Sequence, residues 1–319
     1  MNEAQKQFNK TIEDLVSQRL QGKATVSVNM VYKPNLPELY GITFHEESSC
    51  ISPVLYLNGY FNQYQNGIEL DSIVDEILRC YEEHRNCGFD FSASAFTDFD
   101  SVSHRICCKV INAKMNDGYL SNGIAHTLIL NGELAVIYYV LLQSDSEGSA
   151  SITIREEHLK LWGKTVGEIN TLAIEQTPAI TGYVLKDMQS ILREMLASEL
   201  STDMNVDEDT LDNLLFQMEE DSIKNKMYVL SNSQKVNGAA LAYLYPERLK
   251  AFLEENGCEK AVILPSSIHE TIIVPCDVLT FDGFTEMVHE VNATQLKPDE
   301  ILSEKPVLFD ATNNTYTLI

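Results

Sequence analysis

Basic residues are scarce in this chain: 23 Lys and Arg face 47 Asp and Glu among 319 residues, a formal net charge of −24. Such a surface repels a phosphate backbone, and no local basic patch interrupts it, so direct nucleic-acid binding is disfavoured. Long apolar runs are also missing. A bilayer-spanning helix needs ~18 apolar residues or more, and the longest run, LAVIYYVLL at 134–142, has the length of a buried strand. The start, MNEAQKQFNKTIEDLVSQRL, lacks the basic-then-apolar order of an export signal. It reads as an amphipathic helix with Phe8, Ile12, Leu15 and Val16 on one side. The expectation is a cytoplasmic protein that does not enter a membrane.

Cofactor motifs are absent too. There is no G-x-x-x-x-G-K and no G-x-G-x-x-G, and SQKVNGAA (233–240) holds a glycine without a strand-to-helix context. Seven scattered cysteines (50, 80, 87, 107, 108, 258 and 276) form no CxxC. Their odd number favours reduced core thiols, and Cys107 and Cys108 point to opposite faces of a strand. No H-E-x-x-H is completed: Ile273 follows His269–Glu270, Ser49 follows His45–Glu46, and Ala293 follows His289–Glu290. No metal and no cofactor are expected.

What remains is ordinary globular material, with 44% hydrophobic residues. ATVSVNMVYK (24–33), LYGITFHE and ISPVLYLNGYF read as strands, punctuated by Pro34, Pro37 and Pro53. LDSIVDEILRCYEEHRN sets Leu70, Ile73, Val74, Ile77, Leu78 and Tyr81 at helical spacing. SHRICCKVIN (103–112), LAVIYYVLL and ASITIREEHL (150–159) read as strands, with a turn-rich NDGYLSNG between the first two. Trp162 marks a strand exit and anchors the following helix, TVGEINTLAIEQT, which Pro178 breaks. YVLKDMQSILREML places Val184, Met188, Ile191, Leu192 and Met195 on one helical face. The aromatics Tyr56, Tyr60, Phe61 and Tyr64 fit a core stripe better than a binding patch.

Residues 194–221 hold ten acidic residues and no Lys or Arg, with a short helix predicted from Leu211, Leu214, Leu215 and Met218. This acidic connection (194–225) is the expected boundary between an N-terminal α+β region (1–193) and a C-terminal region (226–319). In the latter, KMYVLSN, GAALAYLY, PERLKAFLEENG, KAVILP, ETIIVP and FTEMVHEVNAT spell strand, strand, helix, strand, strand, helix. Pro246 suits a first helical turn, Gly257 a helix stop, and Asp282 a cap for a last helix burying Phe284, Met287, Val288 and Val291. The fold class is α+β: largely antiparallel sheets built from strand-strand-helix units, with helices packed on one face.

LPSSIHETIIVP (264–275) concentrates the candidate chemistry. Ser266 or Ser267 as nucleophile, His269 as base and Glu270 as orienting carboxylate would make a hydrolase. Residues so close in sequence rarely reach triad geometry, and no G-x-S-x-G elbow accompanies them. The plainer reading is the polar tip of a buried hairpin, its serines bonding turn N–H groups.

ITIREEHLKLWGKTVGEINTLAIEQTP, MYVLSNSQKVNGAALAYL, AVILPSSIHETIIVP and PVLYLNGYFNQYQNGIELDSIVDEILRCYEEHR together resemble an uncharacterised bacterial domain family of unknown function. That family is associated with gut clostridial-type bacteria and their mobile elements. The resemblance covers nearly the whole chain and brings no activity, substrate or catalytic residue with it. It includes Pro265–Glu270, which implies that this loop is more than an arbitrary turn. The mobile-element association implies an interaction protein that modulates host defence or transfer. The primary expectation is a protein-interaction module whose partner is another protein. The hydrolase and an acidic mimic of nucleic acid are the alternatives.

Overall fold

A computed structural model describes residues 3–36, 39–46, 54–85, 93–145, 148–200, 226–276 and 283–319. The chain divides into two compact units, Met1–Val102 and Ser103–Ile319.

In the first unit, helix α1 (Glu3–Leu20) buries Phe8, Ile12, Val16 and Leu20 at i, i+4 spacing. Strands β1 (Thr25–Val31), β2 (Leu39–His45) and β3 (Val54–Tyr56) form an antiparallel sheet in sequence order. Val26 pairs with Phe44 and Val28 with Ile42, so one face is apolar and meets α1 and α3 (Leu70–Arg85) in a single cluster. Leu57–Gln65 is a helix, α2, although ISPVLYLNGYF reads as a strand. Leu57 and Phe61, four residues apart, are its buried positions, and Phe8 packs on both Phe61 and Tyr64. Two short helices, α4 (Ala93–Thr97) and α5 (Phe99–Ser103), come next in the chain.

The second unit opens with β4 (Ile106–Asn112), α6 (Asp117–Leu120), β5 (His126–Ile129), β6 (Leu134–Asp145) and β7 (Gly148–Thr153). The long β6 is central: β4 pairs along one side, β5 and β7 along the other, all antiparallel. Residues 156–159, expected to end a strand, instead open helix α7 (Glu156–Trp162), so Trp162 ends a helix, closed by Gly163 in the left-handed conformation. Helix α8 (Val166–Thr181) begins at a capping box: Glu168 N–H donates to Thr165 Oγ1, and Thr165 N–H donates to the Glu168 carboxylate.

Pro178 does not break α8, contrary to the expectation from sequence. A proline inside a helix orphans the carbonyl four residues back. Here that carbonyl, Ile174 O, accepts the Tyr245 hydroxyl at 2.8 Å. α8 also screens the β4 edge, because Thr177 Oγ1 accepts the Cys108 N–H at 3.0 Å and the Gln176 amide donates to the Ser103 and Ile106 carbonyls.

The remaining elements are β8 (Val184–Asp187), α9 (Met188–Leu200), β9 (Tyr228–Ser231), α10 (Ala240–Leu244), α11 (Pro246–Glu255), β10 (Lys260–Leu264), β11 (Thr271–Cys276), α12 (Phe284–Thr294), β12 (Val307–Asp310) and β13 (Thr315–Leu318). Their strands make one antiparallel sheet in the order β13-β12-β10-β11-β9-β8. Three expectations change here. Residues 184–187 are a strand rather than the start of a helix, GAALAYLY is helical rather than extended, and β12 and β13 are additional strands. β8 and β9 pair directly, so strands on both sides of the acidic segment share one sheet. That segment beyond Leu200, the helix predicted near 209–221, Cys50, Cys87 and Asp282 lie outside the described residues.

The α+β class with antiparallel sheets stands, with one amendment: the six-stranded sheet carries helices on both faces. Val262, Leu264 and Val274 meet Val288 and Phe284 of α12. From the opposite face, Tyr228 stacks edge-on against Phe252 of α11, and the Tyr316 hydroxyl donates to Ala242 O of α10. Both sides of β10 are apolar, and each fully buried Val or Ile contributes about 1.5–3 kcal/mol, so neither face can be left bare. Met287, expected inside, is exposed on α12.

Candidate functional site

β10 and β11 pair from Lys260↔Cys276 to Leu264↔Ile272, leaving Pro265–Glu270 as the connecting tip. The tip is closed by local bonds: Ser267 N–H donates to Glu270 O at 3.0 Å, and His269 N–H donates to the buried Ser267 hydroxyl at 3.0 Å. That is the hydroxyl-to-backbone turn that serine favours. The Ile268 N–H reaches Glu300 O at 2.9 Å and ties the tip to a short turn at Pro298–Glu300.

The tip's carbonyls serve a second loop. His269 O accepts both the Ser231 hydroxyl at 2.8 Å and the Gly238 N–H at 3.0 Å, and Ile268 O accepts the Ala239 N–H at 3.3 Å. The first N–H groups of a helix have no partner within it, and here the tip supplies partners at the entry to α10. Gly238 permits the approach: a Cβ there would lie 2.6 Å from Ser231 Oγ and 2.7 Å from both Asn232 N and His269 O. SQKVNGAA therefore does run from a strand, β9, into a helix, α10, but the Asn237, Gly238 and Ala239 N–H groups are spent on the tip.

The imidazole is oriented by the same loop. His269 Nδ1 accepts the Asn237 N–H at 3.2 Å, so the neutral ring carries its proton on Nε2. Asn237 is held with φ 58°. The buried Asn232 side chain templates the loop, accepting the Gln234 and Val236 N–H groups and donating to Val236 O at 2.7 Å.

The four residues singled out in the sequence thus lie together but do not form a relay. Ser266 Oγ is 3.5 Å from Glu270 Oε1, the Ser267 hydroxyl is occupied by the His269 N–H, and the ring bonds to Asn237 rather than to either serine. They line neither the cleft of about 310 Å³ nor that of about 570 Å³ among the described residues. Cys107 and Cys108 are both buried, and burial pushes their thiols up to about 12 and about 11, which makes them poor nucleophiles and ligands at neutral pH. Among the described residues no group of three or more His, Cys, Asp or Glu is placed to hold a metal ion. No described helix is long and apolar enough to cross a membrane.

Sequence reasoning missed Ser231, Asn237 and Gly238 as partners of the tip, and Asn232 as the residue that shapes their loop. The one available signal is the Asn-Gly pair at 237–238, a frequent mark of a tight backbone path.

The chain matches a family described as "Family of unknown function (DUF5688)" over residues 5–311 and belongs to it. No curated protein and no solved structure matches it.

Proposed function

We propose, from the way the tip is fixed, that the chain acts by binding another protein through Pro265–Glu270. The supporting observation is the Asn237 N–H on His269 Nδ1. It sets the ring's tautomer and orientation before any partner arrives, leaving Nε2–H as a placed donor on the tip that also carries the half-buried Ser266 and Glu270. A recognition surface ordered in advance loses little side-chain entropy on binding, which favours affinity without a deep pocket.

The hydrolase reading asks His269 to leave Asn237 and take a serine proton, and no observed contact favours that exchange. The mimic reading rests on the acidic run at 194–221, most of which lies outside the described residues.

The test is affinity capture from the native cell with wild type, His269→Ala and Glu270→Gln, each checked for an unchanged unfolding midpoint. A protein retained by wild type and lost with His269→Ala supports the reading. An identical captured set for all three sinks it. Labelling of Ser266 or Ser267 by a serine-directed phosphonate probe would instead favour the hydrolase.

A further inference from the structure

An exposed arginine, Arg105, lines a cleft together with Gln234 of the 232–237 loop. Arg105 Nε donates to His104 Nε2 at 3.4 Å, and Nη1 donates to Leu142 O at 3.2 Å. A guanidinium has five N–H donors, so most of its capacity is uncommitted. No carboxylate among the described residues pairs with it, although the chain holds 47 Asp and Glu.

The surroundings are built rather than incidental. The β6–β7 register shifts between Leu141 and Gln143, which makes Leu142 a bulge residue, and its carbonyl is the one Arg105 takes. Bulges commonly re-aim the chain beside functional sites. The Gln176 amide pins the Ser103 and Ile106 carbonyls on either side of Arg105. Ser233 N–H bonds to Thr181 O at 3.0 Å, and the Asn232 side chain holds the Gln234 N–H, so Gln234 lines the same cleft as the arginine from a fixed loop. His104, Arg105, Leu141, Gln143, Ile180 and Gln234 line the resulting cleft of about 310 Å³.

We propose that this cleft binds a small oxyanion, a carboxylate or phosphate carried by a low-molecular-weight solute. Arg105 is its charged anchor and the Gln234 amide its neutral partner. The planar guanidinium fork suits either oxyanion. The volume sits at the lower end of ligand pockets, which run from ~300 to ~1,000 Å³, and this limits the solute's size. The chain's net charge of −24 opposes anions at long range, but salt screens that field within about 8 Å at physiological ionic strength. Among the described residues that line the cleft, the charge is the guanidinium's. The cleft shares a loop with the tip but none of its side chains, so oxyanion binding and protein binding stand or fall separately.

The experiment is titration of the full chain with inorganic phosphate and, separately, with acetate at constant ionic strength, followed by amide NMR. Saturable shifts centred on Arg105, Leu142 and Gln234 are expected, and the stronger probe distinguishes a tetrahedral from a planar ligand. Arg105→Gln weakens binding by roughly tenfold or more, whereas Lys160→Gln, which removes the same charge from an exposed position on α7, leaves it unchanged. Absence of saturation with both probes, or equal weakening by both substitutions, overturns the proposal. If Arg105→Gln lowers the unfolding midpoint, Gln234→Glu decides the matter: a carboxylate in the same cleft as Arg105 must abolish binding, and unaltered binding refutes the site.

Discussion

The three-stranded sheet of the first unit and the six-stranded sheet of the second use the same antiparallel pairing but bury it differently. In β1 only Val26 is buried, and polar Ser27 and Asn29 occupy the face away from the α1–α3 cluster. In β10, Ala261, Val262, Ile263 and Leu264 are all buried, because α10 and α11 cover one face and α12 the other. A one-faced sheet leaves each strand a solvent side that can relax around a change. A two-faced sheet has none, and the tip at 265–270 inherits that rigidity from the strands that carry it.

A matched pair of truncations tests this contrast most directly. Ile263→Ala is expected to cost about 4 kcal/mol, in the range for emptying a fully enclosed site, and Val28→Ala about 1 kcal/mol. Chemical denaturation measures both, and equal costs would show that the first sheet is packed as tightly as the second.

Next come the glycines. Gly238→Ala drives a Cβ into backbone atoms at 2.7 Å, whereas Gly41→Ala meets the side-chain methyls Val54 Cγ1 at 2.5 Å and Val31 Cγ2 at 2.8 Å. Side chains can give way and backbone cannot, so about 3 kcal/mol is expected for the first and about 1 kcal/mol for the second. Gly238→Ala should also release the His269 ring, visible as a change in its NMR tautomer signature.

The smallest difference is electrostatic. In the second unit the buried Glu133 accepts Lys114 at 2.9 Å, lies 3.6 Å from Lys305 and receives the Ser303 hydroxyl at 3.3 Å. Burial alone would raise its pKa, but the Lys114 hydrogen bond and the Lys305 charge hold it below the usual glutamate range. In the first unit, Arg19 pairs with Asp71 and Asp75 at the surface. Glu133→Gln is expected to cost about 2 kcal/mol, and Arg19→Gln less than about 1 kcal/mol. Because the folded pKa of Glu133 is depressed, its contribution is complete above the unfolded value of about 4.3 and is lost as pH falls through the folded value. Acid unfolding curves of wild type should therefore show a loss below that pH which is smaller in Glu133→Gln. Superimposable curves would deny Glu133 the role.

Legibility in the sequence cut across that division. α3 could be read directly, since Ile73, Val74, Ile77 and Tyr81 repeat at helical spacing over sixteen residues. β1 and β2 were visible from alternation, and the β10–β11 hairpin from two apolar runs around a polar tip. Leu57–Gln65 and Ala240–Leu244 read wrongly as strands because a short apolar run satisfies strand and helix patterns equally. In the second case alanine's helix preference was the overlooked sign. The tip was located correctly but its partners were invisible: Asn237 lies 32 positions from His269, and Ser231 lies 38 away.

Residue type at local spacing was enough to set the class, the antiparallel hairpins and the strongly acidic balance. Tertiary packing settled which short apolar segments coil and where Pro178 finds a substitute for its lost hydrogen bond. It also settled that His269 is held by Asn237, while no carboxylate among the described residues reaches Arg105. Those outcomes depend on which donor or acceptor arrives from a distant part of the chain, and local spacing carries no record of that.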